Sequence, residues 1–242
     1  MGTGRYNSKH TSNLPNGVRD ITQAVADKKI QYRTFESTPI GGYSYGDDGH
    51  ATQDFFHDTS NADQLIRGMS PMEIMAFDYW TRGTFMGLNT REFKYLSSLE
   101  QSMIRIYDKY LDKAELYEGI TVRRLASFSL INNGSRSIPT DFDALKNQPI
   151  ELTAPLSAAA AKEGLTIGQS SKNVEYIFHI PPSKGSGMWL GNTRINNWGD
   201  RQREFMLNRN TIYTTGDIRY NSKRGVYEVD MWYVGRTKHT YK

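Results

Sequence analysis

The chain has 242 residues, 37% of them hydrophobic and 12% aromatic, enough to close a sizeable core without metal or disulfide staples. It contains no cysteine, which excludes disulfides, thiolate zinc sites, iron–sulfur clusters and cysteine nucleophiles. The net charge of +4 is uneven: residues 1–66 hold 6 Lys/Arg and 8 Asp/Glu, whereas residues 184–242 hold 11 and 5. The last quarter is therefore either a solvated basic face or a surface for phosphate, nucleic acid or an acidic protein.

In chain order, residues 1–66 scatter glycine among Ser, Asn, Thr and Asp with little periodicity. They read as a polar, loosely structured N-terminal extension with one short helix over residues 20–30. A domain is expected from residue 67 to 242. Its first helix starts at Ser70, Pro71 and Glu73, a capping box with proline in the first turn, and runs to about Trp80. A second helix is expected over residues 90–114, with Leu99, Met103, Ile106 and Tyr110 as its buried stripe. Strands follow at residues 120–129, 176–180, 188–190, 204–213, 217–220 and 226–234. Asn221, Ser222, Lys223, Arg224 and Gly225 mark a hairpin between the last two. Alternation of Tyr227, Val229, Met231 and Tyr233 gives the final strand one buried face. Helices first and strands after predict an α+β fold.

No glycine-rich dinucleotide fingerprint or P-loop is present. No apolar run approaches the ~18 residues of a membrane span. Met1 to Lys9 lack the apolar stretch of a secretory signal, so an injection system or a virion is the expected route if the protein leaves its producing cell; otherwise it acts in that cell's cytoplasm. The five histidines, His10, His50, His57, His179 and His239, do not pair at ligand spacing, and no metal is expected. His179, in an apolar strand, reads as a satisfied core histidine. Among carboxylates Glu204 stands out. A polar loop through Trp198, Gly199 and Asp200 runs into the apolar Phe205, Met206 and Leu207, and Gln202 and Glu204 fall on one face of an extended segment.

The order of these blocks resembles the Arg-Ser-Glu class of mono-ADP-ribosyltransferases, including bacterial toxins and phage enzymes, over roughly residues 70–235. Ala76-Phe77-Asp78-Tyr79 through Gly87-Leu88-Asn89-Thr90-Arg91 resembles the helical Tyr…Asn…Arg segment. Leu116-Tyr117-Glu118-Gly119-Ile120-Thr121-Val122-Arg123-Arg124 resembles the arginine strand, with Arg124 the better match. Gln202, Arg203 and Glu204 resemble the Gln-x-Glu block. The Ser-Thr-Ser strand is matched only by Leu152-Thr153-Ala154-Pro155-Leu156-Ser157, where Thr153 keeps the first hydroxyl and Ser157 is a second candidate.

The resemblance implies N-terminal helices followed by two packed, mainly antiparallel sheets around an NAD cleft. It implies a monomeric transferase, with NAD as co-substrate, that breaks the nicotinamide–ribose bond through an oxocarbenium-like transition state. Glu204 would stabilise that charge. Arg124 would take the pyrophosphate in a planar fork, with Arg91 and Asn89 as further NAD contacts. Thr153 would orient the glutamate. Gln202 would select the acceptor, an asparagine, glutamine or threonine of a target- or host-cell protein, or guanine in nucleic acid, in preference to arginine. Trp198 would recognise the target. Nucleic acid stays open as an acceptor, with Arg194, Arg201, Arg203 and Arg209 along a backbone. Two other classes compete: a non-catalytic virion or effector component that keeps the fold, and a basic nucleic-acid-binding module.

Overall fold

The computed structural model describes residues 8–11, 30–35, 39–40, 44–45, 49–81, 88, 93–162, 173–191, 194–195 and 203–241. Within them the helices come early: α1 (Gly49–Thr59), α2 (Ala62–Arg67), α3 (Pro71–Thr81) and α4 (Ser98–Leu111). α3 starts as its residues dictate. The Ser70 backbone N–H and hydroxyl both donate to Glu73 Oε2 at 2.8 Å. Its inner face, Ala76, Phe77 and Trp80, is buried.

α4 departs from expectation in two ways. It starts at Ser98 rather than near residue 90, because Ser97 and Glu100 form a second capping box, which stops propagation toward the N-terminus. Its buried stripe is also wider than expected and shifted: Tyr110 is buried and Met103 and Ile106 pack against the core as expected, Leu99 is 67% exposed, and Ile104, Tyr107 and Leu111 are buried beside them. Asp108 joins that face because Arg209 grips both its oxygens, at 2.8 and 2.6 Å. A paired carboxylate can thus occupy a position that hydropathy assigns to solvent.

The strands are β1 (Ser8–His10), β2 (Tyr32–Arg33), β3 (Pro39–Ile40), β4 (Ser44–Tyr45), β5 (Glu115–Leu116), β6 (Gly119–Ala126), β7 (Pro149–Leu152), β8 (Leu156–Ala159), β9 (Val174–Ile180), β10 (Ser183–Lys184), β11 (Gly187–Trp189), β12 (Glu204–Leu207), β13 (Thr211–Asn221) and β14 (Val226–Arg236). Ten of them form one hydrogen-bonded path, β1-β7-β13-β14-β9-β6-β8-β12-β11, with β2 alongside β6. All pairs are antiparallel except β14 with β9 and β2 with β6. The two expected sheets are linked into one path where Arg123 of β6 pairs with Ala159 of β8.

The β13–β14 hairpin turns at 222–225, where Gly225 supplies a φ of 65° that other residues rarely adopt. The expected strand over 204–213 is broken at 208–210. Asn210 takes a φ of 61°, and the Asn208 amide donates to Asp112 Oδ1 at 3.0 Å and the Gly185 carbonyl at 2.9 Å.

The division expected at residue 66 falls inside α2. Described parts before it are built into the fold. β1 extends the sheet beside β7, Phe35 and Phe56 are buried, and Phe56 stacks on Trp189 at 4.4 Å. These aromatic anchors are isolated in polar sequence, so no periodicity announces them. The helix expected at 20–30 lies, but for its last residue, outside the described residues.

Candidate active site

Three elements converge on Glu204. β6 carries Ile120, Val122 and Arg124 along one face, opposite Ile180, Phe178 and Tyr176 of β9. Cross-strand partners share a face, so Arg124 sits at the polar end of an apolar row. β8 and β12 pair with Met206 opposite Ser157 and Glu204 opposite Ala159. β11 packs closely against β12: a Cβ on Gly187 would come within 2.4 Å of the Phe205 ring. The chain enters β12 through Arg203, whose φ of 47° is an uncommon setting for a long side chain.

Glu204 is 3% exposed. Its Oε1 accepts a hydrogen bond from the Trp80 indole N–H at 3.1 Å. Its Oε2 accepts none among the described residues. The Ser157 hydroxyl lies close enough to Glu204 to favour the charged carboxylate. The Ser157 carbonyl accepts from Arg124 Nη1 at 2.5 Å. Arg124 and Glu204, 80 positions apart in the chain, thus meet around one residue of β8. Their charges act on each other through space.

Burial pushes the Glu204 carboxyl above the ordinary glutamate range, and Ser157, Trp80 and the Arg124 charge offset that rise only in part. Burial also pulls the Arg124 guanidinium down to about 10, against the opposing pull of Glu204. It stays charged at neutral pH.

Other residues named from sequence are placed differently. Arg123 turns to the opposite side of β6, where Nη1 donates to the buried Glu175 at 2.8 Å. Thr153 is exposed in the bend between β7 and β8, so the hydroxyl beside the carboxylate is that of Ser157. Asn89, Arg91, Trp198, Arg201 and Gln202 lie outside the described residues. Arg203 and Arg209 are buried, and Arg194 donates to the carbonyls of Ile66 and Arg67 at 3.3 and 2.9 Å. Arg203 and Arg209 are therefore not on an exposed phosphate track. His179 is engaged at both ring nitrogens, by Thr121 at 3.3 Å and Asp230 at 2.7 Å. Among the described residues no cluster of His, Asp or Glu suits a metal ion, and no helix is long and apolar enough to cross a membrane.

Trp80 is the site residue that sequence reasoning missed. It reads as one more core aromatic of α3, and nothing local marks its N–H as aimed at a carboxylate 124 positions away.

The early helices and the long, mainly antiparallel sheet match the fold of ADP-ribosyltransferase toxins. The solved structures most like this chain include C3stau2 from S. aureus with NAD, at 14% identity over 85% of this chain and 100% of that one, TM-score 0.60. Plx2a, an ADP-ribosyltransferase toxin from Paenibacillus larvae, superposes at 15% identity over 77% and 95%, TM-score 0.60. The Clostridium limosum C3 exoenzyme does so at 13% identity over 85% and 98%, TM-score 0.60. No family model and no curated protein matches the sequence.

Proposed function

We propose that this protein transfers ADP-ribose from NAD to a macromolecular acceptor, a protein side chain, and releases nicotinamide. One observation carries the reading: Glu204 is buried, with one oxygen held by an indole and the other without a donor among the described residues, beside a guanidinium it does not neutralise by direct pairing. A buried acceptor left open is costly unless a ligand completes it. The residues fit a ribose and its pyrophosphate: Glu204 Oε2 is free to accept from a hydroxyl, and Arg124 brings a permanent planar cation.

NAD supplies a glycosidic bond whose rupture places positive charge on the ribose. Glu204, ionised, would stabilise that charge in a site of low dielectric. Arg124 would hold the diphosphate, and Ser157 would keep the carboxylate ionised and oriented. The bond to nicotinamide breaks with its electron pair leaving on nicotinamide. The acceptor atom forms the new bond and gives up its proton. Gln202 and Trp198 remain the candidates for acceptor choice, with an amide meeting an amide.

The test is nicotinamide release and transfer of labelled ADP-ribose to cell extract by wild type and Glu204→Gln. Turnover is expected to fall on the order of 10²–10³-fold, with NAD affinity by calorimetry nearly unchanged. Equal rates in the two proteins would end the reading. Separate protease and nuclease digestion of the product identifies the acceptor class.

A further inference from the structure

Trp80 is fully buried, and its indole has one polar atom. That atom donates to Glu204 Oε1 at 3.1 Å. The ring packs on a tyrosine that is itself held in place. Tyr107 of α4 meets it edge-on, 5.6 Å between centroids at 72°. The Tyr107 hydroxyl in turn donates to the Ala76 carbonyl of α3 at 2.7 Å, and Phe77 packs against the same tyrosine at 5.1 Å. The start of α3 is fixed by its capping box and by Lys109 of α4, which reaches Glu73 at 2.6 Å. The two helices therefore present the indole N–H in a set position. The N–H cannot titrate or accept, so it interacts favourably with Glu204 only through an oxygen lone pair and most strongly with the ionised form.

We infer that Trp80 is a positioning residue for Glu204: its N–H fixes Oε1, favours the carboxylate over the carboxylic acid, and leaves Oε2 as the oxygen that engages substrate. The assignment rests on the transferase reading above. The physical consequence is separable from it. In a buried site, Glu204 is pushed toward protonation by desolvation, and each donor that prefers the charged form opposes this. Removing one donor leaves the carboxyl protonated to higher pH. It also frees the side chain to rotate, which costs turnover more than binding.

Two measurements decide it. In the protein without NAD, the ¹⁵N–¹H resonance of the Trp80 indole is followed against pH. It is expected to titrate in wild type and to lose that titration in Glu204→Gln, while the fold, read by the remaining amide resonances, is unchanged. A Trp80 resonance that ignores both pH and the substitution overturns the inference. In the second, Trp80→Phe keeps the aromatic packing and deletes the donor. Its kcat for NAD consumption is expected to fall about tenfold, the scale of one charge-assisted bond, with KM for NAD within about twofold. The acid limb of its kcat profile should move to higher pH. A purely structural role would scale kcat at every pH without moving the limb, and that result also overturns the inference. If wild type consumes no NAD at any pH, the transferase reading fails, and the indole titration still reports whether Trp80 controls Glu204.

Discussion

Two glutamates are buried in this sheet, and their surroundings differ in kind. Glu175 of β9 is saturated: Arg224 donates to it through Nη1 and Nη2 at 2.5 and 3.0 Å, and Arg123 adds a third bond at 2.8 Å. Glu204 of β12 has one bond from a neutral indole and, among the described residues, an oxygen with no donor. A buried charge with both oxygens engaged belongs to the architecture. One with an open oxygen is, on the proposed reading, set to meet a ligand. Adjacent arginines obey the same division. Arg123 serves Glu175, and Arg124 serves the side of Glu204.

The sharpest way to break this comparison is one substitution made at both sites. Glu175→Gln removes the buried carboxylate shared by Arg123 and Arg224 and is expected to destabilise by about 3–5 kcal/mol in chemical denaturation. Glu204→Gln is expected to go the other way at neutral pH, gaining about 0.5–2 kcal/mol. A carboxyl raised by folding contributes stability below its unfolded value and loses it as pH rises through the folded one. At neutral pH the wild-type Glu204 is on the costly side. If the two variants shift stability in the same direction, the distinction between the glutamates is wrong.

Next in size, Arg124→Lys keeps a charge but loses the fork. NAD binding by calorimetry should weaken roughly 10- to 100-fold, while Arg123→Lys, opposite the site, should alter stability and leave NAD affinity alone.

A third contrast lies at the chain's end. Burial raises Asp112, but hydrogen bonds from His239 and Asn208 and the charges of His239 and Arg236 more than reverse this and hold it at about 2. Its depressed value contributes stability above the ordinary aspartate range, lost as pH falls toward 2. Asp112→Asn should flatten that part of the acid limb in a thermal-melt series. The smallest effect is expected at Leu99, exposed on α4: Leu99→Ser should change stability by no more than about 0.5 kcal/mol, whereas Tyr107→Ala, on the buried face, should cost about 3 kcal/mol or more.

What the sequence made legible was local. The α3 capping box, the glycine of the β13–β14 turn and the alternation of β14 depend on a few neighbouring residues, and each reappears in the structure. What it hid depends on partners far away. The burial of Asp108 on α4 turns on its finding Arg209. The break after β12 turns on Asn208 reaching Asp112. The hydroxyl beside Glu204 comes from Ser157 because strand alternation, not motif spacing, decides which side chain faces inward. Trp80 left no trace at all, since an indole aimed at a carboxylate and one packed in grease look alike in a string of letters.

The adjacency of Arg123 and Arg124 gives β6 an unusual economy. Strand neighbours point to opposite faces, so sliding β6 by a single residue against β9 would exchange the two guanidiniums between the ionic lattice and the glutamate cleft, with no net loss of charge on either side. The same slide would turn Ile120 and Val122 out of the core and Thr121 into it. The greasy residues upstream thus act as a proofreader, admitting one of two chemically identical side chains to the cleft and committing its twin to the scaffold.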